Sequence, residues 1–283
     1  MVSSAAELVA RQQQLCSLPD VYYRLLDVIQ QPVSSAAAIS EVIQTDPGLS
    51  ARLLKLVNSA FYGFPRKIDT VSRAVTLVGT RQLSDLALAT SVIRVFDGVP
   101  QNLITMESFW KHSLATGICA RIIAENGLDV DSERLFVAGL LHDVGRLVMC
   151  LAEPADMTRA LEQSRSREEL LFQSEKDIFG FTHADVGACL MEQWHLPPAL
   201  VEAVRWHHRP SAADEHQELA AVVHLADVII NSLRIGSSGS GFVPPVWTRA
   251  WQIAELELTD IDSLIEQTRR IFSDVQPVFL QAA

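Results

Sequence analysis

Hydrophobic residues recur along this chain at the three-to-four-residue spacing of α-helices, and alternation at every second position is almost absent. The spacing is clear around Leu49, Leu53 and Leu56, and again in the segment 71–78. Proline, glycine and capping residues separate one such segment from the next. The pattern therefore predicts an all-α protein.

Polar residues stand at several positions where a helix is expected to begin. Asp46 comes directly before Pro47; an aspartate can accept free backbone N–H groups, and proline at the first helical position loses no hydrogen bond. Asp131 is expected to cap a helix that leads into a His-Asp pair, and Thr182 a helix that begins at His183. The chain is thus expected to run helix after helix.

Two packed helical subdomains are expected from the positions of the linkers. Residues 15–104 form the first, and the second begins at 105 and contains the candidate site in its core, 105–235. The Gly/Ser run at 236–241 is typical of a flexible tether. It would lead into C-terminal helices, so that 236–283 pack on the second subdomain.

Composition and charge exclude one large class of partner. Of the 283 residues, 48% are hydrophobic and 20% charged, which is enough apolar material for one large domain or two smaller ones. The formal net charge is -11 and the pI is near 5.2, whereas a nucleic-acid interface needs a basic stripe. We therefore expect no direct nucleic-acid partner.

Apolar runs and cysteine spacing indicate the compartment. No run reaches the roughly 18–20 apolar residues of a membrane span, and the N-terminal segment lacks a basic region. The cysteines stand far apart without a Cys-x-x-Cys pair, which is typical of reduced core thiols: Cys16, Cys119, Cys150 and Cys189. We expect a cytoplasmic protein that does not engage a membrane.

Candidate chemistry centres on the apolar helical run 140–147, which His142 and Asp143 interrupt. Buried charge must be paired or bound to metal, and an imidazole beside a carboxylate suits a divalent transition metal. Further polar residues interrupt apolar helical faces elsewhere in the chain: His112, His183, His207, His208 and Asp227. Five imidazoles and two carboxylates without a thiolate favour zinc, iron or manganese, and they would suffice for two ions.

Each of these residues also has a plainer explanation. His112 alone fits a hydrogen-bonded core histidine, and His183 alone fits a first-turn residue that contacts the backbone. The pair at 207–208 fits a surface helix end near the negative pole of the helix dipole. Asp227 lies in a segment too apolar for a solvated carboxylate, so that a ligand is favoured over a buried salt bridge. The other histidines are expected behind the ligands (His224) or on the surface (His195 and His216).

The order His112, His142-Asp143, Asp227 resembles the HD superfamily of metal-dependent phosphohydrolases, all-helical proteins in which these four residues bind the metal. More narrowly, the chain resembles the HDOD proteins, the HD-related output domains of bacterial signalling. Five segments carry this resemblance, which extends over roughly residues 15 to 230: 46–63, 68–79, 140–147, 183–197 and 207–210.

The resemblance implies a metal site and is compatible with both a catalytic and a non-catalytic role. HDOD domains are usually regarded as non-catalytic output or scaffolding modules, and many have lost parts of the metal site that this chain retains. His183, His207 and His208 match the additional histidines by which HD-GYP phosphodiesterases hold a second metal. Arg146 replaces the lysine of the HD-GYP motif, and 207–213 contains no Gly-Tyr-Pro. These departures argue against recognition of cyclic di-GMP.

Two functions follow as expectations. In the first, the chain is a bacterial signalling output or adaptor that holds one or two divalent ions and acts through protein partners, with a homodimer left open. In the second, it is a metal-dependent phosphohydrolase or phosphodiesterase acting on a nucleotide or cyclic dinucleotide. There Asp143 would orient or deprotonate a metal-activated water, and Arg146 would contact the phosphate of a phosphorylated small molecule or nucleotide.

Overall fold

The computed structural model describes residues 4–12, 17–29, 31, 35–96 and 98–280, and in this part of the chain every regular element is a helix. The all-α prediction is confirmed. The α-helices are α1 (Ala5–Arg11), α2 (Asp20–Ile29), α3 (Ala36–Gln44), α4 (Pro47–Val57), α5 (Val71–Val78), α6 (Thr80–Val92), α7 (Met106–Glu125), α8 (Ser132–Leu141), α9 (Val144–Ala152), α10 (Pro154–Arg167), α11 (Leu171–Phe179), α12 (His183–Gln193), α13 (Pro198–Trp206), α14 (Gln217–Leu233), α15 (Thr248–Ile253) and α16 (Ile261–Leu280).

The helices form two compact units. One comprises the described residues of Met1–Cys16 together with Phe96–Arg269, and the other comprises Ser17–Val95 with the described part of Arg270–Ala283. The subdomains expected from sequence ran 15–104 and from 105 onward. The structure assigns the two ends of the chain differently. The N-terminal helix α1 belongs to the unit of α9 and α12, on which it packs, and α16 begins in that unit and ends in the other.

Capping side chains start the helices where the sequence indicates. Asp46 has an extended backbone, and its Oδ1 accepts the Leu49 N–H at 2.9 Å. Asp131 accepts two backbone N–H groups at the start of α8, and Thr182 accepts the Asp185 N–H at the start of α12. The predicted caps at these three positions are confirmed.

The cap of α4 gives a direct stability prediction. Asp46→Ala removes the acceptor for the Leu49 N–H and should lower the free energy of unfolding by about 1 kcal/mol. Asp46→Asn keeps a capping oxygen and should cost much less. Urea denaturation of the three proteins measures the difference; equal losses in both variants would contradict the capping role.

The unit that contains the candidate site is built around tightly packed helix pairs. The α7 helix packs against α8 and α14, and α12 packs against α9 and α13. The stretch Ser132–Ala152, which spans α8 and α9, is long and apolar enough by composition to cross a membrane. Most of it is buried inside the fold, so its position in the core accounts for its apolar character.

The described cysteines are free thiols. Cys119 and Cys150 are buried, and Cys189 is partly exposed. Burial raises the pKa of the thiols of Cys119 and Cys150 to about 12, so both stay protonated at neutral pH. Cys16, the fourth cysteine, lies outside the described residues.

The Gly/Ser run 236–241 packs against the folded unit, whereas the sequence predicted a flexible tether. Ser237 donates its backbone N–H to the Ser108 carbonyl of α7 at 3.1 Å, and Ser238 is 2% exposed. Gly236 has φ +68°, and a Cβ there would meet the Ser108 oxygen and the His112 nitrogen. Glycine is therefore required for this close approach, and the run is part of the folded unit.

Candidate metal centre

Helix ends and helix interiors bring the predicted donor residues together. His142 and Asp143 lie at the junction where α8 ends and α9 begins. His112 projects from the middle of α7 and Asp227 from the middle of α14, the two helices that pack against each other. All four residues are at most 3% exposed. The apolar run around the His-Asp pair therefore does hold buried polar side chains, as the sequence indicates.

His112, His142, Asp143 and Asp227 form what we call the first donor group. Asp227 Oδ1 lies 3.1 Å from His112 Nε2 and 3.4 Å from His142 Nε2. Asp143 Oδ2 lies 3.2 Å from His142 Nε2 and 3.9 Å from His112 Nε2. Donor atoms about 2 Å from one metal ion lie about 3 Å or a little more apart, so these separations fit a single ion.

Asp143, His183, His207 and His208 form the second donor group. His183 Nε2 lies 3.4 Å from His207 Nε2 and 3.1 Å from His208 Nε2, and the latter two atoms are 3.1 Å apart. Asp143 Oδ1 lies 2.8 Å from His183 Nε2. Asp143 is therefore common to both groups. The structure brings six of the seven predicted metal residues together as possible ligands of an ion, and Asp227 joins them through its contacts with His112 and His142.

Hydrogen bonds at Nδ1 orient several of the imidazoles. His142 Nδ1 donates to the Gly139 carbonyl at 2.7 Å, and His207 Nδ1 donates to the Val204 carbonyl at 2.7 Å. Each carbonyl comes three residues before its histidine at the end of the same helix. This arrangement fixes the tautomer in which Nε2 carries the lone pair, the form that metal-binding histidines commonly use.

Unpaired buried atoms test whether the cluster fits a metal. Within the described residues, His142 Nε2 and Asp143 Oδ1 are fully buried and satisfy no hydrogen-bond geometry, although donor atoms of neighbouring residues lie close. Buried polar atoms without a hydrogen bond are costly and rare. Imidazole nitrogens and carboxylate oxygens that converge in this way fit a divalent transition metal.

The charges of the donor residues also suit a cation. Burial alone would raise the pKa of both carboxyls, but Arg146 and His142 hold that of Asp143 well below its usual value, and His112 and His142 do the same for Asp227. Burial lowers the pKa of His207 to about 3, so this imidazole is neutral. The pKa of His142 is raised to about 10, because the nearby carboxylates outweigh its burial. A metal bound there would displace a proton and take its place between the two carboxylates.

Arg146 lies at the edge of both donor groups and is 2% exposed. Its Nη1 donates to Asp143 Oδ2 at 2.9 Å and to Ser238 Oγ at 2.6 Å, and its Nε donates to Glu175 Oε1 at 3.0 Å. Nη2 lies 2.8 Å from His183 Nδ1 and 3.1 Å from its Nε2. The guanidinium is thus held inside the cluster by side chains from several parts of the chain.

Comparison with known families agrees with this arrangement. The model of the HDOD domain matches residues 15–210, which is more than half of the chain. The chain belongs to the HDOD domain family. The predicted family resemblance is therefore confirmed.

A curated relative of this HDOD chain is considerably longer than the chain itself. The chain is 28% identical over 234 residues to an "Uncharacterized protein" of Treponema pallidum (strain Nichols). The aligned region covers 81% of this chain and 44% of the relative. The chain thus spans less than half the length of that curated relative.

Solved structures share the fold of this HDOD chain from end to end. A "Putative phosphohydrolase" from Shewanella amazonensis SB2B is 25% identical with a TM-score of 0.74, and all of both chains are covered. An HDOD domain protein with unknown function from Geobacter sulfurreducens is 21% identical with a TM-score of 0.76, and 98% of each chain is covered. The helical architecture is therefore that of HDOD proteins.

Three residues of this HDOD site were not predicted from sequence. Glu175 is fully buried in α11, where it accepts hydrogen bonds from Arg146 and from the backbone N–H of His183, the latter at 2.9 Å. Ser238 receives Arg146, and Asn231 donates to Asp227 Oδ1 at 2.7 Å. Only Asn231 had a usable signal, because it stands four residues after Asp227 and so on the same helical face.

The remaining histidines of the HDOD chain lie outside the donor groups. His224 Nδ1 donates to the His207 carbonyl at 2.8 Å, and its Nε2 accepts the Trp247 N–H at 3.0 Å. It therefore stands behind His207, as expected. His195 is exposed, and His216 is partly exposed.

A narrow cavity adjoins the donor groups. Its volume is about 10 Å³, and its walls include Asp143, Arg146, His208, Asp227 and Ser238. This is roughly the space that one water molecule needs. In the arrangement described, the cavity admits a water or an ion but not a phosphate ester.

Proposed function

We propose that this HDOD protein is a bacterial signalling output module that binds a divalent transition metal at the first donor group and acts through protein partners. The single observation that supports it best is that two imidazole Nε2 atoms each lie 3.1 to 3.9 Å from oxygens of two carboxylates in the buried core. When bound there, the metal would act as a Lewis acid and as a cross-link between helices.

The geometry around the metal residues favours output over turnover. The cavity that reaches Asp143 and Asp227 holds about one water, and Ser238 of the 236–241 segment accepts a hydrogen bond from Arg146. Arg146 already donates to Asp143, Glu175 and Ser238, so it is not directed at a ligand. A metal in this place would join α7, the α8–α9 junction and α14, and its presence would set their relative positions.

Metal content tests the proposal. Protein purified without added metal or chelator should contain zinc, iron or manganese, measured by inductively coupled plasma mass spectrometry. His142→Ala removes a donor nitrogen of the first group and should weaken metal binding by more than the roughly 10–100-fold that outer hydrogen-bonding partners cost. His195→Asn is the matched control, because His195 is exposed and at φ +56°, which asparagine tolerates.

The metal content of the three proteins distinguishes the possible outcomes. Metal that is retained in wild type and in the His195 variant but lost in the His142 variant supports the proposal. Folded wild-type protein that takes up no metal, even after reconstitution, would remove it. The histidines would then be a hydrogen-bonded core network.

A phosphohydrolase is the second candidate, and the complete donor set favours it. Here Asp143 would position a water at the metal, and the 236–241 segment would have to move for a phosphate ester to enter. Metal-loaded protein would hydrolyse bis(4-nitrophenyl) phosphate, and Asp143→Asn would abolish this. Metal-loaded wild type without hydrolysis above the metal-free background would leave the output function alone.

Partners and location follow from the same proposal. Signalling proteins of the cytoplasm are the partners we propose, with a second copy of the chain as a further option. The net charge of -11 disfavours nucleic acid. Pull-down with metal-loaded and metal-depleted protein as paired baits would show whether a partner depends on the metal.

A further inference from the structure

Arg146 lies beside the second donor group and contacts two of its residues. Its guanidinium donates to Asp143 Oδ2 at 2.9 Å, and its Nη2 lies 3.1 Å from His183 Nε2. Asp143 is the carboxylate shared by both donor groups, and His183 Nε2 is a donor atom of the second. The fixed positive charge therefore already contacts two of the groups that a second ion would need.

Charge balance distinguishes the two donor groups. The first holds two carboxylates, those of Asp143 and Asp227, with two imidazoles that must be neutral to bind metal. The second adds only neutral imidazoles, and beside it the charges of Arg146 and Glu175 cancel. One divalent ion in the first group thus leaves the buried cluster neutral. A second ion would leave two positive charges without a counterion in a dry interior.

We propose that Arg146 replaces a second metal ion, so that this chain binds one ion at the first donor group and excludes another from the second. The proposal rests on the proposed metal binding and concerns its stoichiometry. Arg146 is a positioning residue here: it holds Asp143 by charge and a hydrogen bond, it lies against His183, and it does not contact substrate.

The guanidinium cannot simply swing away to admit a second ion. It is 2% exposed, and Glu175 and Ser238 hold it in addition to Asp143. Moving it would leave the Glu175 carboxylate buried without its cation, which is strongly unfavourable. Repulsion between the guanidinium and a second ion would also be weakly screened in this buried position.

Several contacts hold the histidines of the second group in place without an ion. His208 Nε2 lies 3.1 Å from His207 Nε2, and a neutral imidazole can donate to its neighbour across this distance. His183 Nδ1 donates to Glu175 Oε2 at 2.5 Å. Phe172 stacks on His208 with ring centroids 4.3 Å apart. The group therefore has its own hydrogen bonds and packing.

Manganese stoichiometry tests the proposal. Apo protein is equilibrated by dialysis against Mn²⁺ in phosphate-free buffer, and bound metal per chain is measured by mass spectrometry. Low-temperature electron paramagnetic resonance of the same samples distinguishes an isolated Mn²⁺ from a magnetically coupled pair. Wild type should bind one isolated ion. Arg146→Gln removes the charge and should bind two coupled ions, and Arg146→Lys keeps the charge and should bind one.

A matched control comes from an exposed arginine. Arg159 forms a surface ion pair with Asp156 on α10, and Arg159→Gln should bind one ion as wild type does. Circular dichroism confirms that each protein is folded. If the glutamine variant does not fold, two ions in wild type or in the lysine variant would still overturn the proposal.

Three results would overturn the proposal. Two coupled ions in wild type or in Arg146→Lys would show that the positive charge does not exclude the second ion. A single ion in folded Arg146→Gln would show that something else does. No ion in wild type would remove the metal proposal itself, and that result is distinct from the other two.

Discussion

Glu175→Ala is expected to lower the free energy of unfolding by about 3–5 kcal/mol, the cost of leaving one member of a buried ion pair without its partner. Glu175 is fully buried, and its Oε1 accepts Arg146 Nε at 3.0 Å. Its Oε2 accepts the His183 backbone N–H at 2.9 Å. The substitution therefore leaves a guanidinium and a backbone N–H buried with fewer partners.

Asp177 provides the control for this prediction, because it lies on the same helix, α11, and forms an ion pair with Arg167 at 3.0 Å. Both side chains of that pair are 57% exposed, and exposed pairs contribute about 0–1 kcal/mol. Urea denaturation of metal-free protein compares Glu175→Ala with Asp177→Ala. Similar losses in the two variants would show that the buried pair has no special role.

The contact between Glu175 and Arg146 also shows what the sequence could not reveal. Periodicity predicts helices because each helix is local, and capping by Asp46 or Thr182 requires only a few neighbouring residues. The buried face of α11 includes Leu171, Ser174 and Glu175. The polar composition of this helix indicates a solvent-exposed surface. Glu175 is nevertheless buried, because it pairs with Arg146, which lies 29 positions away in the sequence.

The candidate metal residues were easier to predict than the residues that support them. Histidine and aspartate inside apolar helical faces are conspicuous, since burial without a partner is costly. Ser238 lies in a Gly/Ser run whose composition is typical of linkers, and only the fold shows that it accepts Arg146. Supporting residues can have any polar side chain, so composition gives little information about them.

The boundaries of the two units could not be predicted from the sequence, for a related reason. The α16 helix is continuous from Ile261 to Leu280, yet the division between the two units falls between Arg269 and Arg270. Helical spacing shows that a face is apolar, but it does not show which core that face enters. The same holds for α1, whose apolar residues pack on helices more than 130 positions away.

Gly145→Ala is expected to destabilise the protein and weaken metal binding together. In an exposed helix, alanine would be favoured over glycine by about 1 kcal/mol. At Gly145, however, a Cβ would meet the His183 carbonyl oxygen and the Gly187 backbone nitrogen, so α9 and α12 would have to separate. Overpacking of this kind costs about 1–3 kcal/mol and sometimes more, because backbone cannot rotate aside as a side chain can.

The same displacement would reach the donor groups, because α9 directly follows His142 and Asp143, and α12 begins at His183. Thermal unfolding and metal content should therefore fall together in Gly145→Ala. Gly241→Ala is the control, since a Cβ at Gly241 would meet no described atom within 4 Å and should change stability by less than about 0.5 kcal/mol. A destabilised Gly145→Ala that kept full metal affinity would show that the donor residues do not depend on the spacing between α9 and α12.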